Sequence, residues 1–289
     1  MKFTDETFTE ITTSNGVIVK EYTLYIEPTE GVELESTRLF VRVSIPQDGK
    51  AEHKGVVLEH GMWGTGETPG VITWLYEAMR EICVVCRPDV SGNGKSSGEW
   101  NYSGHEMEAR DIWRCVQMLK ERFGVKATAA VGHSKGATDA IIYGAHAAED
   151  KEEPLCIVSI ASKTVYGRGS EKTIFTEEQL QECKEKGFFM WSKFHKVWKI
   201  TQKSLDDRLA LTTNIIKYIE GLEKVHWPLL CVQGTADDVC NMKNADVILQ
   251  HAPTTTEMCL IEGAGHYFRG FQDELCSRIV EWLRSHGCL

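Results

Sequence analysis

The stretch ATAAVGHSKGA at residues 127–137 decides the fold, because a glycine-flanked serine joins a short apolar run to an alanine-rich run. Residues 127–131 are small and mostly apolar, which predicts a buried strand, and residues 137–148 are rich in alanine, which predicts a helix. Ser134 lies between them in the pattern G-x-S-x-G. A tight turn of this kind lifts a serine hydroxyl above the sheet, so Ser134 is a candidate nucleophile.

Two further strand-like runs follow the serine, and each leads into a titratable residue. PLLCVQG leads into Asp237 and Asp238, and TEMCLI leads into His266. A serine, an acid and a histidine in this chain order, each after a strand, predict a catalytic triad of Ser134, Asp237 and His266. Asp238 is the alternative acid. Because neighbouring side chains in an extended segment or a turn point in different directions, only one of the two aspartates faces the histidine well.

An oxyanion hole is predicted from a fourth segment that precedes the serine. The strand-like run GVVLE is followed by His60-Gly61-Met62. The backbone N–H of Met62 is expected to pair with that of Lys135, the residue after the candidate nucleophile, as two donors for a developing negative charge. Lys135 is needed there only for its backbone N–H. Its side chain is expected to point away from the reacting centre.

Strand and helix patterns alternate on both sides of the serine turn. Residues 17–26 and 38–45 alternate apolar and polar positions, which predicts an antiparallel opening pair, whereas the later strand-like runs are fully apolar. This alternation is typical of a mostly parallel sheet flanked by helices. It breaks between 163 and 227, so we predict a core in two parts, 1–162 and 228–289, with a cap, 163–227, inserted between them.

The predicted cap is rich in aromatic residues. Thr176 and Gln179 are placed to cap a helix that Gly187 ends, and the following run FFMWSKFHKVWKIT is typical of a hairpin. Packing of the cap onto the core explains most of its aromatic side chains at least as well as substrate binding does. The candidates for lining an apolar substrate pocket are Trp63, Phe188, Phe189, Met190, Trp191, Phe194 and Trp198.

These motifs resemble those of the α/β-hydrolase superfamily, and within it a serine-hydrolase group that includes feruloyl and cinnamoyl esterases, monoacylglycerol lipases and serine aminopeptidases. RPDVSGNGKSSGEW resembles a loop of that group, while GHSKGA and ITQKSLDDRL resemble plant and protist hydrolases. The similarity runs from Gly55 to the C-terminus. It implies the α/β-hydrolase fold, with a small cap before the strand that carries the acid, and structural roles for His60 and Asp89.

Composition narrows the range of partners. The chain has 289 residues, of which 42% are hydrophobic, and a formal net charge of −10 without a long basic run, which argues against nucleic-acid binding. The polar, acidic N-terminus and the lack of a long apolar run predict a cytoplasmic protein with no stable membrane insertion. Histidines and cysteines lack metal-ligand spacing, so no metal and no cofactor is expected. The oligomeric state stays open.

The residues together predict an enzyme, most simply a carboxylesterase that cleaves an acyl or aromatic acyl ester of a small molecule through an acyl-enzyme. Amide or thioester hydrolysis and acyl transfer are alternatives, since they use the same groups. A receptor of hydrolase fold that binds a ligand without turnover is an alternative from a different class. The acyl length and the natural substrate are not indicated by the sequence.

Overall fold

The computed structural model describes residues 1–48, 54–166, 170–193 and 196–289. Within these ranges the chain forms a nine-stranded sheet, a two-stranded hairpin and seven α-helices. The strands are β1 Phe3–Thr12, β2 Ile18–Ile26, β3 Leu39–Pro46, β4 Lys54–Glu59, β5 Val84–Asp89, β6 Lys126–His133, β7 Cys156–Ile160, β8 Phe188–Lys193, β9 Lys196–Thr201, β10 Leu229–Gly234 and β11 Thr256–Ile261. The helices are α1 Val71–Met79, α2 His105–Phe123, α3 Lys135–Glu149, α4 Glu177–Lys186, α5 Gln202–Val225, α6 Met242–His251 and α7 Gln272–Ser285.

The large sheet has the strand order β1-β2-β3-β5-β4-β6-β7-β10-β11. The pairs from β1 to β5 are antiparallel, and every pair from β5 to β11 is parallel. The predicted antiparallel opening pair is confirmed as β2 and β3, and so is the predicted α/β-hydrolase fold with its mostly parallel sheet. β1 is an addition that the sequence analysis missed, because its polar, half-exposed sequence FTDETFTEIT lacks the apolar alternation of a core strand.

Helices cover both faces of the sheet, so its central strands are buried on two sides. Along β4, Val56 and Leu58 belong to one buried apolar cluster and Val57 to the other, as the alternation of side chains across a strand requires. Helices α2, α3, α5 and α6 pack on one face, and α1 and α7 pack on the opposite face. Burial on both faces explains why the parallel strands read as continuous apolar runs.

The segment between β7 and β10 contains α4, the β8–β9 hairpin and α5. The predicted caps of α4 are confirmed, since Thr176 and Gln179 form a capping box and Gly187 ends the helix at φ 81°. The predicted hairpin is confirmed as well, although its tip, with the candidate Phe194, lies outside the described residues. Helix α5 has 24 residues, and no described helix is long and apolar enough to span a membrane.

Candidate active site

Ser134 lies at the strand-to-helix turn between β6 and α3, where the sequence places it. Its backbone has φ 59° and ψ −114°, a strained conformation for a residue other than glycine. Small neighbours make the turn possible. A Cβ atom on Gly132 would lie 2.0 Å from the carbonyl oxygen of Gly136, and one on Gly136 would lie 2.6 Å from the carbonyl oxygen of His60. The backbone conformation that positions the Ser134 hydroxyl therefore requires glycine at positions 132 and 136.

His266 lies between Ser134 and Asp237 in a hydrogen-bonded row. The Ser134 hydroxyl donates to His266 Nε2 over 3.0 Å, and His266 Nδ1–H donates to Asp237 Oδ2 over 2.9 Å. The three residues follow β6, β11 and β10, whose carboxyl ends meet at one edge of the parallel sheet. The side chains of His266 and Asp237 are 4% and 0% exposed. Exclusion of water strengthens the electrostatic interactions within the row.

Asp237 is held as a carboxylate by donors from its own loop. Its Oδ1 accepts the backbone N–H of Val239 over 2.8 Å and that of Cys240 over 2.7 Å. Burial alone would raise the pKa of Asp237, but the hydrogen bonds from His266 and from these amides bring it below the ordinary value. The structure thus brings Asp237 to His266, whereas the alternative acid Asp238 is exposed.

His133 supports the histidine of this row and was missed by the sequence analysis. Its Nε2–H donates to the backbone oxygen of His266 over 3.0 Å, and the two rings lie 5.1 Å apart. Burial, with the nearby His266, lowers the pKa of His133 to about 4. His133 therefore stays neutral at neutral pH and places no positive charge beside His266. It occupies a variable position of G-x-S-x-G, so the motif carries no signal for it.

The loop after β4 lies against the serine turn. A Cβ atom on Gly61 would lie 3.2 Å from the Cβ of Ser134, which places Met62 one residue from this contact. Lys135 is the first residue of α3, where backbone N–H groups have no acceptor within the helix. Among the described hydrogen bonds, none uses the N–H of Met62 or Lys135 as donor. The loop that contains Met62 therefore lies against the serine turn, and Lys135 directly follows Ser134 in that turn.

His60 and Asp89 hold the loops around the site. His60 Nδ1–H donates to the carbonyl oxygen of Gly61 over 2.8 Å, and its Nε2 accepts the backbone N–H of Val90 over 3.2 Å. Asp89 accepts two backbone N–H groups, each over 2.9 Å, and Arg42 Nη1 over 2.7 Å. Both side chains therefore stabilise loop backbone around the site, which agrees with the structural roles that the family resemblance implies.

The four principal pocket candidates come together, but they pack on one another. The Trp63 ring centroid lies 5.2 Å from that of Trp191 and 6.2 Å from that of Trp198. Phe189 is fully buried and Trp191 is 6% exposed, whereas Trp63 and Trp198 are half-buried. The packing alternative thus fits Phe189 and Trp191. A cavity of about 550 Å³ is lined by residues of the segment after β7 together with Tyr102, and none of these four described side chains lines it.

A mostly parallel sheet with a glycine-flanked serine turn, an acid and a histidine at its carboxyl edge is the arrangement typical of α/β hydrolases. A family model described as alpha/beta hydrolase fold matches residues 55–269, and the chain belongs to this family.

Relatives and solved structures extend this comparison. The chain is 24% identical to the monoglyceride lipase homolog of monkeypox virus over 77% of this chain and 86% of that protein. Its fold is similar to that of Est1E from Butyrivibrio proteoclasticus with ferulic acid bound, with a TM-score of 0.65, 17% identity and coverage of 86% of this chain and 97% of that chain. It is also similar to an alpha-beta serine hydrolase homologue from Coxiella burnetii, with a TM-score of 0.59, 18% identity and coverage of 90% and 96%.

Proposed function

We propose that this α/β hydrolase is a serine esterase that cleaves carboxylic esters of small molecules through an acyl-enzyme. The observation that carries the proposal is the row from Ser134 through His266 to Asp237, with contacts of 3.0 and 2.9 Å. Both distances lie within the range expected of a nucleophile, its base and the group that orients the base.

In the proposed mechanism, His266 Nε2 takes the hydroxyl proton as Ser134 Oγ attacks the ester carbonyl carbon. Asp237 holds the histidine tautomer and stabilises the imidazolium that forms. The N–H groups of Met62 and Lys135 receive the oxyanion, a contribution of about 3 kcal/mol per donor in a comparable hydrolase. The imidazolium then gives its proton to the leaving alkoxide. Water, activated by the same His266, hydrolyses the acyl-enzyme.

Three observations favour an ester with an apolar or aromatic acyl group. Trp63, beside the proposed oxyanion donor Met62, and Trp198 keep part of their ring surface exposed. Est1E, which shares the fold, is described with ferulic acid bound, and the viral relative is named a monoglyceride lipase homolog. An apolar wall beside a few polar groups is typical of sites that bind such molecules. The proposed substrate class is therefore a small acyl or aromatic acyl ester.

A panel of p-nitrophenyl esters of increasing acyl length, together with methyl ferulate, tests this function. We expect steady release of product over many turnovers, because water can resolve the acyl-enzyme through His266. The number of product molecules released per protein molecule is the measurement. Release of one equivalent followed by no turnover would instead favour the ligand-binding receptor, and no release from any ester would contradict the proposal.

Alanine variants of the two cap tryptophans are expected to separate binding from packing. Trp198→Ala removes a half-buried ring and should change the ratio of kcat/KM between long and short acyl esters by about tenfold or more. Trp191→Ala removes a buried ring packed on Trp63 and should lower the free energy of unfolding by about 3–5 kcal/mol. Ester kinetics and urea unfolding of both variants measure these effects. An unchanged acyl preference in Trp198→Ala would assign that ring to packing alone.

A further inference from the structure

Four charged side chains form a buried cluster next to the serine turn. Glu59, Glu108, Lys135 and Asp139 are 0%, 4%, 3% and 0% exposed. Carboxyl oxygens of the three acids lie within 4.8 Å of one another, and Lys135 Nζ donates to Glu108 Oε1. Charged residues are almost never fully buried unless they are paired. The mechanism above uses only the backbone of Lys135, so the side chains of this cluster need a separate explanation.

The cluster joins the two chain segments that carry the proposed oxyanion donors. Glu59 is the last residue of β4 and is followed directly by the loop that contains Met62. Lys135 carries the other donor, and Asp139 lies one helical turn further along α3. The close approach of Gly136 to the carbonyl oxygen of His60 shows that the two segments abut. A change in the distance between Glu59 and Asp139 is therefore expected to change the distance between the backbone N–H groups of Met62 and Lys135.

Three carboxyl oxygens of the cluster have no donor among the described residues. They are Oε1 and Oε2 of Glu59 and Oδ2 of Asp139. Three ionised acids against one lysine would leave an uncompensated negative charge in the interior, which is very costly. Burial raises the pKa of Glu59 well above its ordinary value and raises those of Glu108 and Asp139 to about 7. Since the Lys135 ammonium already contacts Glu108, protons are the simplest remaining compensation.

We propose that Glu59, Glu108, Asp139 and Lys135 form a proton-sharing cluster that positions the Met62 and Lys135 amides for the oxyanion. The proposal rests on the proposed function, because it concerns the oxyanion hole of that reaction. A protonated Glu59 donates its O–H to a neighbouring carboxylate oxygen, which links β4 to α3. Lys135 neutralises Glu108 on α2 from the other side. These four are positioning residues, since they act through two backbone amides.

Three ionisable groups beside the cluster, His105, Asp111 and Arg208, have hydrogen-bond partners of their own, and Arg208 donates to the carbonyl oxygen of Tyr102. His105 Nδ1–H donates to Asp139 Oδ1, and burial lowers the pKa of His105 well below its ordinary value. Asp111 lies 3.2 Å from Arg114 Nη1 and also accepts the backbone N–H of Ser91. The groups that face the cluster from neighbouring elements are His60 after β4, His105 and Asp111 on α2, Tyr166 after β7 and Arg208 on α5.

Raising the pH removes the shared protons and has two consequences. Repulsion between the newly charged carboxylates separates β4 from α3, so kcat/KM falls on the alkaline side. The folded-state pKa values of Glu59, Glu108 and Asp139 lie above their ordinary values. The unfolded chain therefore releases these protons at lower pH than the folded chain does, and the free energy of unfolding also falls as pH rises.

The Glu59→Gln variant tests the proposal, because an amide imitates the shape and donor of a protonated acid and loses no proton. We expect the alkaline limb of its kcat/KM profile to move to higher pH by about one unit, which is a tenfold change in proton concentration. Its free energy of unfolding should also vary less with pH between about 5 and 8. Glu149→Gln, which changes an exposed carboxylate at the end of α3, the helix that carries Asp139, is the control and should follow the wild type.

A second variant tests the lysine without leaving a buried charge. Lys135→Met combined with Glu108→Gln removes the ion pair but keeps both backbones and similar shapes. We expect kcat to fall about tenfold or more with little change in KM, because the oxyanion forms only in the transition state. Unchanged kcat in this folded double variant would contradict the positioning role.

The outcomes separate this inference from the function on which it rests. A fluorophosphonate probe that fails to label Ser134 in the wild type would contradict the proposed esterase itself. Labelled wild type with an alkaline limb that does not move in Glu59→Gln, or a Glu59→Gln variant that does not fold, would overturn the proton-sharing cluster alone. Elemental analysis of the purified protein adds a further test. One equivalent of a divalent metal, lost together with activity on chelation, would make the cluster a cation site instead.

Discussion

Ser134→Ala is expected to lower kcat for a p-nitrophenyl ester by about a million-fold, the size of effect found when the nucleophile of a serine protease is removed. Without Oγ, His266 has no proton to take and no acyl-enzyme forms. The fold should persist, because alanine keeps the Cβ atom and the helix of Lys135–Glu149 does not use the Ser134 side chain as a cap. Initial rates, with equal unfolding midpoints as the check on structure, measure the effect.

Labelling with a fluorophosphonate probe provides the second readout, since it should modify Ser134 in the wild type and nothing in Ser134→Ala. Ser159→Ala is the matched control. Ser159 lies on the neighbouring strand β7, and its buried hydroxyl has no hydrogen-bond partner among the described residues, so its loss should leave the rate unchanged. Full activity in Ser134→Ala, or a probe adduct at another residue, would rule out the proposed nucleophile.

The fold and the hydrogen-bonded row were accessible from sequence because their signals are local. Gly132 and Gly136 mark the serine turn, and each close approach at these positions is made by backbone only a few residues away or by the adjoining β4 loop. Asp237 and His266 each follow an apolar run, and parallel strands bring their carboxyl ends to one edge of the sheet. The order of these residues along the chain was therefore enough to predict that they lie close together.

The supporting residues were not accessible, because nothing local distinguishes them. His133 contacts the backbone oxygen of His266, more than a hundred positions away in the chain. The acids Glu59, Glu108 and Asp139 are far apart in sequence and meet only through the arrangement of β4, α2 and α3. Such contacts depend on tertiary packing, which patterns of hydrophobicity do not encode.

The roles of the aromatic residues in the hairpin could not be predicted from the sequence either. The sequence identified Phe189, Trp191 and Trp198 together, because aromatic density is visible in a single run of residues. Whether a ring lines a pocket or fills the space between two layers depends on which face of β8 or β9 it occupies and on what lies opposite. In the structure Phe189 and Trp191 point into a packed cluster, while Trp198 keeps part of its surface exposed.

Replacement of Asp237, but not of Asp238, is expected to cause the second large loss of activity. Asp237→Asn is expected to lower kcat by about ten-thousand-fold, as neutralising the equivalent carboxylate does in a serine protease. The amide no longer offers a negative charge to the imidazolium, and its N–H₂ group favours the wrong tautomer of His266. Asp238→Asn should change kcat by no more than a few-fold, because Asp238 is exposed and the row of 2.9 and 3.0 Å contacts does not include it.

Steady-state kinetics of the two purified variants, compared at equal unfolding midpoints, decide between the aspartates. The comparison is balanced, since both variants exchange a carboxylate for an amide of the same shape at adjacent positions. The donors that lower the pKa of Asp237 also include the backbone N–H groups of Val239 and Cys240, and an amide oxygen can still accept these bonds, so the loop should keep its conformation. If Asp238→Asn were the more damaging change, the acid would be Asp238. If neither variant lost activity, neither carboxylate would be the group that orients His266.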